Sequence, residues 1–138
     1  MGVRVRIRIK ANGKQIDTAA LVNSGYESED PEIHIPLALA KRLGFSLEKL
    51  SSEKYRVVGS DVHAYILGNV EVRIVVEDKE TPWVKARAVM VPGEYEVLLG
   101  DAITEKLGIE IIRPKTGHWR LRGEEKVRSS VEPEYWVE

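Results

Sequence analysis

Few residues of this sequence could carry out chemistry, and the most suggestive are the consecutive Asn23, Ser24 and Gly25. They place an amide, a hydroxyl and a permissive backbone directly after an apolar run, Ala19 to Val22. A side-chain amide has nearly the shape of a carboxylate but carries no charge, so Asn23 cannot act as a base near neutral pH. All three residue types also favour turns, so a plain turn is the alternative interpretation.

Other reaction chemistries find little support in the composition. The chain contains no cysteine, which excludes disulfides, thiolate catalysis and cysteine-bound zinc. The three histidines, His34, His63 and His118, are far apart and lack the spacing of metal ligands. We therefore predict no metal site and no cofactor.

The charge pattern argues against nucleic acid and membranes as partners. Arg4, Arg6, Arg8 and Lys10 form a basic stripe, but the net charge is −1. A solvated strand face balanced by acidic residues is the expected interpretation, and a nucleic-acid-binding barrel is the alternative. The sequence shows no signal peptide and no apolar segment long enough to span a membrane, so we expect a cytoplasmic protein.

The first half of the chain predicts a hairpin followed by a short strand and a helix. Val3 to Lys10 alternates apolar and charged residues, as in a half-buried strand. Asn12-Gly13 predicts a tight turn, so that Gln15 to Val22 returns antiparallel. Ile33 to Ile35 reads as a strand, and Pro36 should open a helix over Leu37 to Leu43 that stops at Gly44.

The second half predicts several short strands and one further helix. Ser60 to His63 reads as a hairpin tip between two extended runs. Asp101 should cap a helix that runs through Leu107 and ends at Gly108. The predicted strands are Tyr55–Gly59, Ala64–Gly68, Val70–Val76, Val84–Val91, Glu96–Gly100, Ile109–Ile112 and His118–Leu121. Many short strands with two short helices favour one small β-barrel.

Four segments, taken in order, resemble the retropepsin family, the retroviral-type aspartic proteases and their cellular relatives. Together they cover about residues 3 to 112. The segments are the hairpin that leads into AALVNSG (19–25), the strand and helix of IPLALAKRLG (35–44), the glycine-bearing hairpin Val58 to Tyr65, and the aliphatic pair before glycine in VLLGDAI (97–103).

This resemblance implies an all-β fold, a small closed barrel of the acid-protease type with one or two short helices, and a homodimer. In the family each chain supplies one Asp, and the two carboxylates hold a water that attacks an extended peptide or an unfolded protein. Asn23 stands at the Asp position, Ser24 matches the residue that braces the loop, and Gly25 matches the glycine that lets a peptide approach. Residues 1–112 would form the protease domain, and 113–138 a hairpin and polar tail that contacts the partner.

The resemblance also implies a set of residues that contact the substrate, at the loop, the hairpin over the cleft and the segment beneath the loop. These are Tyr26, Glu27, Gly59, Ser60, Asp61, Val62, His63, Leu99 and Gly100.

Two residues depart from the family pattern. Asn23 predicts an inactive form of an aspartic endopeptidase, and it leaves three explanations open: a natural pseudoprotease that binds peptides or supports assembly, an engineered Asp-to-Asn change, or a likeness of structure alone. Asp101 stands where many relatives carry an Arg that would pair with the acid at Glu27. Two acids repel each other, so that contact must be built differently.

Overall fold

The computed structural model describes residues 2–23, 25–46, 51–57 and 60–138, with only the backbone described for 51–57 and 60–63. In that part of the chain, strands dominate and the two helices are short. The elements are β1 (Arg4–Ala11), β2 (Lys14–Val22), β3 (Glu32–His34), α1 (Leu37–Arg42), β4 (Ser51–Val57), β5 (Ser60–Ile74), β6 (Val84–Met90), β7 (Val97–Leu99), α2 (Asp101–Leu107), β8 (Ile109–Arg113), β9 (His118–Leu121) and β10 (Arg128–Ser129).

Six strands close into a barrel, in the order β1-β2-β7-β3-β6-β5, and β5 pairs back onto β1. β4 lies outside this ring and pairs with β5. The closure confirms the prediction of a mostly β fold built as a small barrel with two short helices. Each of the six strands therefore pairs with a neighbour on both sides, although the pairings of β7 with β2 and of β3 with β6 and β7 span three residues or fewer.

The β1–β2 hairpin forms as the sequence predicts. Its turn residues Asn12 and Gly13 have φ of 52° and 76°, the pair of positive angles that a tight two-residue turn requires. The strands pair from Ala11 and Lys14 back to Arg4 and Leu21. The alternating apolar residues of β1 are buried inside the barrel, and its cations lie on the outer face.

The cations of β1 each lie within ion-pair distance of a carboxylate, as a balanced strand face requires. The pairs are Arg4–Glu96 at 2.6 Å, Arg6–Glu134 at 3.5 Å, Arg8–Asp17 at 2.6 Å and Lys10–Glu71 at 3.7 Å.

β5 is a single long strand where the sequence predicts two separate runs. The pairing of β5 with β6 shifts by one residue between Ile66 and Gly68, which marks a bulge. Gly68 has a φ of 147°, and a Cβ placed there would lie 3.3 Å from the Phe45 ring. The glycine therefore bends the strand without breaking it, and the prediction of a strand end at Gly68 was wrong.

Both helices form, with corrections at their first residues. Pro36 occupies the N-cap of α1 instead of its first turn, and Gly100 instead of Asp101 occupies the N-cap of α2. Asp101 is the first helical residue, where a negative charge favourably meets the positive end of the helix. α2 ends at Gly108, which has the left-handed conformation that the sequence predicts.

A second sheet, β10-β9-β8, packs against the barrel. Ile109, Trp119 and Leu121 are buried in the same hydrophobic cluster as the barrel core. Arg128, with only 9% of its side chain exposed, forms two hydrogen bonds of 2.7 and 2.9 Å to Asp78 and one of 3.1 Å to Glu124. The hydrogen bonds from Arg128 hold the pKa of the Asp78 carboxyl below its usual range. The division of the chain at residue 112 stays a prediction.

The last residues, 130–138, form what we call the C-terminal strap, which lies across the chain's own barrel. The Val131 amide donates to the Arg4 carbonyl at 3.0 Å, and the Trp136 amide donates to the Tyr95 carbonyl at 2.8 Å. The Trp136 indole donates to the buried Thr18 hydroxyl at 2.9 Å. The strap therefore joins the first strand of the barrel, its second strand and the segment before β7.

Candidate active site

Asn23 lies at the end of β7. β7 pairs in parallel with β2, with Leu99 opposite Val22, and antiparallel with β3, with Leu99 opposite Ile33. The chain leaves β2 at Val22 and must pass the end of β7 to reach β3. The Asn23 amide donates to the Leu99 carbonyl at 3.0 Å as it does so. Asn23 and Leu99, which belong to two distant segments that the sequence singled out, therefore meet in the structure.

The Asn23 side chain braces a compact turn. Its Oδ1 accepts a hydrogen bond of 3.1 Å from the Gly25 amide, and its carbonyl accepts one of 3.1 Å from the Tyr26 amide. Asn23 is half-buried and Gly25 is exposed, so the turn faces solvent. Ser24 lies outside the described residues. A carboxylate at position 23 could accept the same hydrogen bond from Gly25, because the bond uses an acceptor oxygen.

Tyr26 fixes this turn to the start of α2. Its carbonyl accepts a hydrogen bond of 2.9 Å from the Asp101 amide. A Cβ placed on Gly100 would lie 3.1 Å from the Tyr26 carbonyl oxygen and 3.3 Å from its ring. Glycine at position 100 therefore permits Tyr26 to lie close to the end of β7.

Beneath the loop lies a buried carboxylate that the sequence did not single out. Glu32, on β3, is 3% exposed. It accepts hydrogen bonds of 2.7 Å from the Tyr26 hydroxyl and 2.8 Å from the Arg87 guanidinium. Arg87 lies directly opposite Glu32 in the β3–β6 pairing. A lone Glu at the start of a short strand gives no sequence signal of burial, because charged residues are usually solvated.

The hairpin expected over the cleft is present as β4 and β5. Val57 pairs with Ser60, and Lys54 pairs with His63, so Ser60 to His63 belong to strand β5. Their prediction as the hairpin tip was wrong, because all four pair with residues of β4. Gly59 itself lies outside the described residues. Any contact of Ser60, Asp61, Val62 and His63 with a substrate stays a prediction.

Two open clefts flank the loop that follows Asn23. The larger, about 1080 Å³, lies between the β1–β2 turn, residues 28–32 and the facing parts of β5 and β6. The smaller, about 590 Å³, lies between Ser28, Glu29, α2 and the start of β8. Glu27 and Asp101 are exposed on this side. Glu27 follows the Asn23 turn in the chain and the Asp101 amide bonds to Tyr26, so both exposed acids belong to segments that adjoin the turn.

His34 is the one buried histidine in the described part of the chain. Its Nδ1 lies 2.9 Å from the Glu96 carbonyl oxygen. Burial lowers the pKa of the imidazole, against the opposing effects of the Glu96 carbonyl and the Glu94 carboxylate. His34 is thus a neutral core residue near neutral pH. Within the described residues, no group of three or more His, Asp and Glu side chains could hold a metal ion.

The comparisons with known proteins do not assign a family. Neither the models of protein families nor the curated proteins contain a match to this chain. Among the described residues, no helix is long and apolar enough to cross a membrane.

Proposed function

We propose that this chain is one subunit of a homodimeric aspartic endopeptidase of the retropepsin type, with Asn23 in the place of the catalytic Asp. The protein as it stands is then inactive. One observation carries the proposal: the Asn23 turn sits on the Leu99–Gly100 end of β7 in a closed six-stranded barrel. That juxtaposition joins the two segments whose order in the sequence resembles the family.

The chemistry requires two copies, because each chain contributes one such turn. With Asp at position 23 in both copies, two carboxylates in contact share a proton and separate into an acid and a base. The ionised carboxylate takes a proton from the bound water as its oxygen attacks the scissile carbonyl, and the other carboxyl protonates the carbonyl oxygen. An amide can do neither, so two facing Asn23 side chains leave the water unactivated.

The substrate class is an extended peptide or an unfolded protein. A peptide laid between the turn and the β4–β5 hairpin would bind as an added strand, through backbone hydrogen bonds. β4 supports this mode, because it pairs only with β5 among the described residues and so presents an edge. The exposed acids at Glu27 and Asp101 favour substrates with basic residues next to the scissile bond.

The C-terminal sheet supplies the surface for the partner subunit. β8 pairs only with β9 within the described part of the chain, so its other edge carries unpaired backbone groups. Ile111, on this edge, is 40% exposed. If two β8 strands pair antiparallel about the bond between Ile111 and Ile112, Glu110 of each copy lies opposite Arg113 of the other. The apolar centre and the opposite charges fit a second copy of the chain.

The decisive experiment restores the carboxylate. We expect Asn23→Asp to cleave an unstructured polypeptide between pH 3 and 6, with a rate gain on the order of 10²–10⁴-fold, the range of general acid–base catalysis. Cleavage is measured by the release of new peptide termini. Gln15→Glu is the control, since it adds the same charge at an exposed position on β2 that lines neither cleft. An Asn23→Asp protein that folds, dimerises and cleaves nothing would refute the proposal.

A second candidate is a non-catalytic peptide-binding module on the same fold, and Asn23 itself favours it. Facing amides avoid the repulsion that two carboxylates would suffer, so the dimer needs no shared proton. This candidate predicts that the unaltered protein binds extended peptides at neutral pH with an affinity that does not change between pH 5 and 8. Calorimetric titration with a basic peptide tests it, and an absence of binding excludes it.

A further inference from the structure

A chain of hydrogen bonds runs from the Asn23 turn into the barrel wall, and Tyr26 is its centre. Three groups of Tyr26 are engaged. Its amide donates to the Asn23 carbonyl at 3.1 Å, its carbonyl accepts from the Asp101 amide at 2.9 Å, and its hydroxyl donates to Glu32 at 2.7 Å. The residue therefore links the turn to α2 and to β3 at the same time.

A buried carboxylate at Glu32 costs free energy, so its hydrogen bond to Tyr26 needs an explanation. Burying a carboxylate costs free energy, and the Arg87 guanidinium at 2.8 Å offsets that cost. Only the Glu32 side of the pair is buried, since the Arg87 side chain is 37% exposed, and ion pairs open to solvent contribute little to stability. Stability alone thus explains the pair poorly, whereas fixing the direction of the Tyr26 hydroxyl explains it well.

The backbone of β7 and β3 packs closely around Tyr26. The Gly100 amide points to the Glu32 carbonyl at 3.4 Å, so β7 and β3 contact each other directly beneath the loop. The Tyr26 ring lies close to the Gly100 backbone, since a Cβ built on Gly100 would lie 3.3 Å from that ring. The position of Tyr26 is therefore transmitted to Asn23 through one peptide hydrogen bond.

We infer that Tyr26 and Glu32 are positioning residues that hold the side chain of position 23 in its reactive place. The inference rests on the proposed function. Tyr26 acts through the backbone of the turn, and Glu32 acts through the Tyr26 hydroxyl. A misplacement of about 1 Å at a reacting group can cost on the order of 10²-fold in rate, so such support has kinetic consequences.

The kinetic test uses the Asn23→Asp protein. Adding Tyr26→Phe removes only the hydroxyl, and we expect kcat to fall about 10-fold while KM changes less than about twofold, as for a lost hydrogen bond to a charged group. Glu32→Leu should lower kcat at least as much. Glu32→Gln retains an acceptor for the hydroxyl and should restore most of that loss. Tyr135→Phe, at a residue that is 62% exposed, is the control and should leave kcat unchanged.

A second measurement needs no activity and uses the chain with Asn23. Amide hydrogen exchange should accelerate in Tyr26→Phe at Tyr26 and Asp101, whose amides fix the turn, and stay unchanged at Ile7 and Ile9 in the core. If Asn23→Asp is inactive but exchange accelerates at these two amides, the protease proposal fails and the positioning role stands. If kcat and exchange are both unchanged, or exchange accelerates equally throughout the core, the inference is overturned.

Discussion

Position 23 shows how much chemistry can depend on one atom. Asn and Asp place an oxygen at the same point, and that oxygen accepts the hydrogen bond from Gly25 in this structure. The second atom of the group is an amide nitrogen in one residue and an oxygen that can carry a proton or a charge in the other. The fold of the turn therefore tolerates either residue, whereas a reaction with water as the nucleophile tolerates only the acid.

His34 gives a residue-scale prediction for the dependence of stability on pH. Burial lowers the pKa of folded His34 below the 6.5 of an unfolded histidine. Its contribution to stability is therefore complete above pH 6.5 and is lost as the pH falls toward the lower folded value, because the unfolded chain then binds the proton first. Between pH 7.5 and 5.5 the loss is at most about 1.4 kcal/mol.

Urea unfolding of His34→Asn at both pH values checks this prediction. The Asn amide can still donate to the Glu96 carbonyl but does not titrate, so the difference between the two pH values should shrink. His118→Asn is the control, since His118 lies half-buried on β9. An unchanged pH difference in His34→Asn would contradict the assignment of a neutral, buried imidazole.

At the residue scale, the sequence predicts the residues of the turn better than the buried residues that hold the turn in place. Asn23 and the Leu99–Gly100 pair could be matched because their residue types and order form a pattern. Glu32 and Arg87 could not be predicted as partners from the sequence. Their pairing depends on the parallel alignment of β3 with β6, two strands about 50 residues apart, and no local pattern determines that register.

Local sequence signals predict the secondary-structure elements correctly where turn residues and glycines determine the boundaries. They fail where tertiary packing determines the boundaries. Asn12-Gly13 and Gly108 sit at the turns that the sequence predicts. The sequence also predicts a strand end at Gly68, but pairing with β6 on both sides carries β5 through it. The C-terminal strap shows no periodic pattern at all, since its contacts come from single residues that reach the barrel at intervals.

Trp136 gives the element-scale prediction for the strap. Its ring packs against the core, its indole binds Thr18, and the Arg42 guanidinium lies 5.7 Å from its centroid. We expect Trp136→Ala to lower the free energy of unfolding by about 3 kcal/mol, as for truncation of a large core side chain. The neighbouring Tyr135→Ala should change it by less than about 0.5 kcal/mol, because its side chain is mostly exposed. Equal effects in denaturant unfolding would show that the strap does not support the barrel.

At the scale of the whole molecule, the barrel closes within one chain but the proposed active site does not. One copy supplies one turn, one β4–β5 hairpin and one free edge of β8. The sequence predicts the barrel, because alternating strands and frequent turns leave few other arrangements. It cannot predict which surface meets a partner, since an exposed Ile111 has the same sequence signal as a buried one.

The β8 edge gives a prediction for assembly. We expect Ile111→Lys to weaken the proposed homodimer at least about 10-fold, because it would place a charge at the centre of the proposed paired edges. Sedimentation over a range of concentrations measures the effect, and circular dichroism confirms the fold. Val137→Lys is the control, as Val137 is 67% exposed on the strap. A dimer that survives Ile111→Lys with unchanged affinity would place the partner elsewhere.

The claim that two position-23 side chains face each other can be tested in one measurement, because the chain contains no cysteine. In Asn23→Cys, the two thiols of a dimer should form an intersubunit disulfide under mild oxidation, which requires Cα atoms within about 7 Å. Lys14→Cys, at the exposed end of the first hairpin, is the control and should stay uncoupled. The account predicts a covalent dimer on a non-reducing gel for Asn23→Cys alone. A dimer in solution whose two introduced cysteines do not couple would contradict it.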